Sequence, residues 1–322
     1  VSLGLTSLVA GAVGAIAILE SVWATLQLLT GSGLGLTRLG EDRDPFYVFA
    51  KGVRAPMGSM VHIYVLAGLA LVGAAIMIRQ TIESTRPAPW AVATAVAIAP
   101  VGFTFSRAAL IGFVGLVVAL TVGAALQWRH RAIRLRYLIA VGALCLGAAV
   151  PAAVWHSGWR VRSSQTSSAS TAAALTTERT RLDHEALQQI SAHPLTGVGP
   201  GRYVPALKAR FGVETDKTVG IFKPVHDIVL LVGAEGGIGA GLIMVLLLAG
   251  LGWRALRSGP AALGLYASVL PFFLLDHFLY SFPQGLVITA LWLAGLDSLV
   301  GGRAWRPRHR EEGLSEPRPA PA

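Results

Sequence analysis

The 322 residues include a single cysteine, Cys145, and little charge: 14% are Asp, Glu, Lys or Arg, and only 17 residues are acidic. One cysteine excludes an intrachain disulfide, a Cys-x-x-Cys redox pair and a thiolate metal cluster. The scarcity of charge, beside 53% apolar residues and a mean hydropathy of +0.60, excludes an ordinary soluble domain. Strand-length alternation is missing as well, which argues against a β-barrel. What remains is a set of apolar blocks of about twenty residues, the length an α-helix needs to cross roughly 30 Å of hydrocarbon.

The chain therefore reads as all-α, a polytopic transmembrane bundle of about eight spans: Leu3 to Leu29, Ser59 to Ile78, Ala88 to Phe105, Ala108 to Gln127, Leu138 to Trp155, Val225 to Gly252, Ala261 to Leu275 and Gly285 to Val300. The third, seventh and eighth are short. Residues 1–155 hold the N-terminal spans, 156–224 a large external loop, 225–300 the C-terminal spans and 301–322 a basic tail expected to be disordered. The opening stretch carries Glu20 and is too long for a signal-peptide core, so it reads as a true span.

Short loops rich in Lys and Arg stay in the cytoplasm. Placing Trp128 to Arg136 inside also puts Arg79 to Arg86, Trp253 to Arg257 and the tail from Arg303 inside, with both termini of this chain. The segments Gly31 to Gly58, Ser106-Arg107, His156 to Pro224 and Asp276 to Gln284 then fall outside. The net charge of +10 is in large part topogenic arginine, so it does not indicate nucleic acid. Yet roughly half of all Lys and Arg lie in the external segments, where orientation does not require them. An anion handled there, a lipid headgroup or a phosphate-bearing substrate, would account for them.

The long external loop changes character along its length. Ser163 to Thr177 is Ser, Thr and Ala, with too little apolar surface to pack, and is expected to be mobile or partly ordered. From Glu178 to Ser191, the apolar residues Leu182, Ala186, Leu187 and Ile190 fall at helical spacing, which predicts a short amphipathic helix ending before Pro194. The run Gly197-Val-Gly-Pro-Gly-Arg202 lacks the Lys-Ser/Thr of a nucleotide P-loop and follows no strand, so a tight structural turn is the better reading. Asp42-Arg-Asp44 is formally a D-x-D, the pattern by which many sugar-nucleotide transferases hold a divalent cation, but it reads as a solvated surface turn. No metal and no cofactor is expected.

Several strings occur in one order: Val53-Arg-Ala-Pro-Met-Gly58, Ser106-Arg-Ala-Ala-Leu110, Arg179-Thr-Arg-Leu-Asp-His-Glu-Ala186, His193-Pro-Leu-Thr-Gly-Val-Gly-Pro-Gly201, His226-Asp, Ala234-Glu-Gly-Gly-Ile-Gly239 and Asp276-His-Phe-Leu-Tyr-Ser-Phe-Pro-Gln-Gly285. In order and membrane context they resemble the O-antigen ligase and polymerase superfamily. That resemblance implies a glycosyltransferase of the bacterial cytoplasmic (inner) membrane. Its donor is a glycan on a polyprenyl (undecaprenyl) diphosphate, and its acceptor a hydroxyl of a glycan, lipid or protein on the outer face. Ligase and polymerase share these motifs. Family members are commonly longer, which implies further N-terminal spans beyond this chain.

Such chemistry asks for cations that stabilise charge on the leaving diphosphate and for a base that takes the acceptor proton. By resemblance Arg107 and Arg179 are the diphosphate arginines and His226 the candidate base, so Arg107, Arg179 and His226 form the catalytic set. Arg54, Arg202, Asp276 and His277 are the further substrate-binding candidates. On a regular helix Glu235 lies about 13 Å from His226 on the opposite face, so it reads as structural or as a separate contact. Two departures stand out: Asp183 replaces a usual Trp, and His62-Ile-Tyr64 stands where many relatives have His-Pro-Asn, leaving His62 without an inherited role. A secondary transporter or an inactive membrane scaffold are the rival classes. Transporters tend to carry mid-membrane ionisable sites and internal repeats, whereas here the polar candidates gather on one face.

Overall fold

The computed structural model describes residues 2–49, 52–167, 169–212 and 222–301. The basic tail, apart from its first residue, lies outside the described residues. The chain begins with α1 (Ser2–Thr30), followed by a hairpin of β1 (Phe46–Val48) and β2 (Arg54–Pro56), paired antiparallel with Tyr47 opposite Ala55. Then come α2 (Ile63–Glu83), α3 (Pro87–Ile98), α4 (Pro100–Phe103), α5 (Arg107–Leu126) and α6 (Arg131–Val154). The loop region holds α7 (His156–Ser167), α8 (Ala169–Ala192) and α9 (Tyr203–Phe211), and the chain closes with α10 (Ile228–Ser258), α11 (Pro260–Leu275), α12 (Phe278–Ser281) and α13 (Pro283–Gly301).

Each of the eight apolar blocks is helical. Six helices among the described residues are long and apolar enough to cross a membrane: Gly11–Thr30, Ile63–Glu83, Arg107–Leu126, Arg131–Val154, Ile228–Ser258 and Pro283–Val300. The eighth block thus qualifies, while Pro87–Phe103 and Pro260–Leu275 are shorter. In the first of these two, Pro100 has no N–H to continue the ladder, and α3 gives way to α4 there.

α2 is the centre of the bundle, with Leu66, Leu71, Val72 and Ile78 buried, and α1, α3, α11 and α13 packed around it. α5 and α11 lie close because Gly112 leaves room for the backbone of Ser268; a Cβ there would sit 2.1 Å from the Ser268 carbonyl oxygen. Close approach through small residues is how helices associate where lipid removes the hydrophobic drive. Outward faces carry exposed apolar side chains, such as Ile111, Val114, Val118 and Val122 of α5, as a lipid-facing surface requires.

The helix order places two polar ends. At one end Arg79 bonds to Ser298 and Glu83, the Arg136 guanidinium donates to the Ile82 carbonyl, and Arg254 pairs with Asp297. The other end carries the hairpin and the α7–α9 segment. The hairpin segment is pinned to α1 by buried polar groups. Glu20 accepts from the Ser59 backbone N–H, and Gln27 exchanges hydrogen bonds with the backbone of Gly58. Burial works to raise the Glu41 carboxyl, but donors from Gln27, Leu34, Leu36 and Trp23 outweigh it and hold it near about 2.

Two features of the loop region differ from the sequence reading. The Ser/Thr/Ala stretch, for which the sequence predicts no regular element, is helical on both sides of residue 168, and the amphipathic segment is only the C-terminal half of a 24-residue α8. Alanine is the strongest helix former, and Ala172, Ala173 and Ala174 let the helix propagate where apolar patterning is absent.

Candidate functional site

The glycine turn and the span after it are built for each other. α10 breaks at Gly237, whose backbone (φ 85°, ψ 176°) lies in a region open to glycine alone. The break frees the backbone groups around it, and the turn takes them up: Val198 N–H donates to Ala234 O, Gly199 N–H to Glu235 O, and Ile238 N–H to Pro194 O, at 2.8 to 2.9 Å. Glu235, 4% exposed, closes the joint by accepting from the Tyr280 hydroxyl at 2.9 Å and the Tyr203 N–H at 3.3 Å. Glu235 is thus structural, and the glycine turn is a docking element.

That joint fixes the start of α10, where Asp227 caps the helix by accepting from Leu230 N–H. His226 precedes the cap. Its ring stacks on His277, with centroids 5.5 Å apart and planes 26° from parallel. Its Nδ1 is buried and has no hydrogen-bond partner among the described residues. Burial, followed by the positive charges of His277, Arg179 and Lys223 and opposed by Glu178, lowers the His226 imidazole to about 4. His226 is therefore neutral at physiological pH.

His277 and Asp276 sit where α11 ends. Asp276 accepts from the backbone N–H of His277 and Phe278, and the His277 Nδ1 lies 3.1 Å from the Ser281 hydroxyl. Burial raises the Asp276 carboxyl to about 6 against those two hydrogen bonds and Arg179, and burial with Lys223 lowers His277 to about 4. His226, Asp276 and His277 bring their ligand atoms within 4.8 Å of one another. Two imidazoles and a carboxylate are a donor set that suits a divalent ion such as zinc. Arg179, acting on His226, and Lys223, acting on both histidines, oppose an added cation.

The arginines approach from two sides. Arg179 of α8 reaches the Leu275 carbonyl at 3.5 Å, beside Asp276 and His226. Arg107 is the first residue of α5, behind the cap in which the Ser106 hydroxyl accepts from Ala109 N–H. Arg162 and Arg179 are its charged neighbours, and no carboxylate pairs with Arg107 among the described residues. A cation at a helix N-terminus opposes the macrodipole, and other guanidinium groups beside it add repulsion. An anion would relieve both. Ahead of the cap, Phe105 holds φ +53°, an uncommon value for a bulky residue, and its ring is locked against Trp159 and Phe49.

The other candidates are placed elsewhere. Arg54 pairs with Asp44 at 2.9 Å and lies 4.1 Å over the Phe46 ring, so it braces the hairpin, and the D-x-D supplies its partner. Arg202 is exposed at the N-terminus of α9 and is not among the groups acting on His226. The structure adds residues that sequence reasoning missed: Arg162 beside Arg107, Lys223 in an ion pair with Glu178, and His62, whose imidazole is lowered to about 4 by burial and by His277. For Arg162 the Ser-rich surroundings hold no signal.

A helical membrane bundle with neutral histidines and arginines gathered at one end defines the class. Residues 91–246, from α3 into α10, match the model of a family described as O-antigen ligase, and they contain Arg107, Arg179 and His226. The match supports the O-antigen ligase and polymerase family, whose members are glycosyltransferase-like enzymes. No curated protein matches the chain.

Proposed function

We propose that the chain transfers a glycan from a polyprenyl-diphosphate carrier to an acceptor hydroxyl, at the outer face of a bacterial cytoplasmic membrane. The observation that carries the reading is the pairing of Arg107 and Arg179, neighbouring cations, with the neutral imidazole of His226 at the same end of the bundle. The acceptor oxygen bonds to the anomeric carbon as the bond from that carbon to the diphosphate oxygen breaks. His226 takes the acceptor proton. The guanidinium forks hold the charge that builds on the leaving lipid diphosphate. His277 and Asp276 line the acceptor side of His226.

Orientation follows from the opposite end, where Arg79, Arg136 and Arg254 gather as cytoplasmic arginines do. We take the reaction to be metal-independent, because Arg179 and Lys223 already supply positive charge to the histidine cluster. The test is transfer from a purified lipid-diphosphate glycan in liposomes, with wild type, Arg107→Ala and His226→Ala, each with and without chelator. Transfer that survives chelation and disappears in both variants is the expected result. Undiminished transfer by His226→Ala, or loss on chelation restored by zinc, would overturn this assignment of roles.

A further inference from the structure

A row of half-buried rings runs from the candidate base toward the hairpin. His226 stacks on His277, and the His277 ring meets Phe282 edge-on at 5.9 Å. Phe282 lies 6.4 Å from His62, which is flanked by Tyr47 at 4.8 Å and Tyr64 at 4.6 Å. Tyr47, His62, Tyr64 and Phe282 each keep part of their surface accessible. These rings come from the hairpin, the start of α2 and the α12–α13 junction, segments remote in sequence.

The polar atoms on this row have defined roles. The His62 Nδ1 accepts from the Tyr64 N–H at 3.2 Å as the cap of α2, so in the neutral ring the proton sits on Nε2, which is a hydrogen-bond donor. Gln284 uses its side-chain oxygen to accept from Val61 N–H at 2.9 Å, and its amide nitrogen has no protein partner among the described residues. Neutral donors beside aromatic faces suit one chemistry above others. A pyranose has an apolar face of C–H groups that lies on a ring and a rim of hydroxyls that takes neutral hydrogen bonds. The rings themselves carry no charge; Arg107 and Arg162, with Asp276 opposing them, are the charged groups that act on Tyr64 at their side.

We propose that Tyr47, His62, Tyr64 and Phe282, with Gln284 at their edge, form a saccharide subsite that holds a pyranose next to His226, the His62 Nε2–H being its fixed hydrogen-bond donor. It deepens the transferase reading and rests on it for the sugar's role. The sugar belongs either to the acceptor or to the first residues of the donor glycan, and both present the same ring chemistry. Packing and the α2 cap account for the ring contacts and the tautomer; what a sugar would use is the ring surface that Tyr47, His62, Tyr64 and Phe282 leave accessible.

Two variants separate these readings. His62→Asn keeps a side-chain oxygen to cap α2 and removes the ring donor; Phe282→Leu removes an aromatic face but keeps an apolar side chain. In the transfer assay each should raise the KM of one substrate about tenfold, the loss of one neutral hydrogen bond or one ring contact. The expected kcat stays within about twofold, with no change in melting temperature. A KM effect on the acceptor places the acceptor sugar on the shelf; the same effect on the lipid-linked glycan places the donor sugar there.

A second readout does not depend on turnover. Saturation-transfer NMR on the protein in nanodiscs, with methyl glucoside, methyl galactoside and methyl N-acetylglucosaminide as probes, should show saturation reaching pyranose protons in wild type and His226→Ala and fading in His62→Asn and Phe282→Leu. That result supports the subsite even if the chain performs no transfer, in which case only the transferase reading falls. Unchanged KM values, a lowered melting temperature as the sole effect, or no saturation of any of the three glycosides would overturn the proposal.

Discussion

Replacing Gly237 by alanine tests whether the broken helix is what positions the site. The backbone there, at φ 85° and ψ 176°, costs a non-glycine residue about 1–3 kcal/mol. The added Cβ would also lie 2.6 Å from the Leu195 carbonyl oxygen and 2.7 Å from that of Pro194. Both contacts are backbone and cannot swing aside, so an overpacking cost of about 1–3 kcal/mol follows. Opposing these, alanine favours a helix over glycine by roughly 1 kcal/mol, which works toward straightening α10. Straightening would surrender the Ile238 to Pro194 hydrogen bond and push the turn away from Ala234 and Glu235. The net expectation is a loss of about 1–5 kcal/mol in the joint, read as a lower melting temperature in detergent together with lost transfer. Wild-type melting and wild-type transfer in Gly237→Ala would refute the reasoning, because the break would then be incidental to the site.

Other outcomes follow from the same geometry. Arg107→Lys keeps the charge and loses the fork, so kcat/KM should fall at least about tenfold yet stay above that of Arg107→Ala; equal activity of Lys and Arg would mean that only charge matters. With His226 lowered to about 4 by burial, by His277, Arg179 and Lys223, and against Glu178, the base stays neutral above that value. Transfer should therefore persist from pH 8 down to about 5 and fail toward 4, and a decline centred near 6.5 would contradict the assignment. Any inflection near 6 belongs to Asp276 and should vanish in Asp276→Asn. Tyr280→Phe leaves the buried Glu235 carboxylate short of a donor, so it should lower stability by about 1–3 kcal/mol in thermal denaturation, whereas an unchanged melting point would show that solvent replaces the hydroxyl.

The spans were legible because a membrane imposes a length on every crossing helix, and length survives in the sequence without any knowledge of packing. All eight apolar blocks became helices, though Pro87–Phe103 and Pro260–Leu275 are shorter than the rest. The Ser/Thr/Ala stretch was misleading for the converse reason. Low apolar content speaks to tertiary burial, whereas alanine propensity governs whether the backbone coils. Nor could a regular-helix calculation for Glu235 foresee Gly237, since the break exists only with the glycine turn docked on it. Gly236-Gly237 inside a span was the available signal. His62 was harder to see: it departs from the usual motif, and its place beside His277 comes from the fold alone.

The family match ends at residue 246, yet the ring that stacks on His226 belongs to His277, and His62 lies ahead of residue 91. The matched segment therefore carries Arg107, Arg179 and His226, while His62 and His277 come from its two flanks. That division has a physical logic. A diphosphate presents the same charge and the same oxygens whatever sugar it carries, so the cations that hold it can sit in a shared segment. The rings that meet a sugar must change with the sugar. His62, where this chain departs from the string of many relatives, can be altered without moving Arg107, Arg179 or His226, whereas Phe282 lies in the Asp276 to Gly285 string that resembles theirs. A glycan transferase built in this way would change specificity at positions such as His62 while keeping one set of bond-breaking groups.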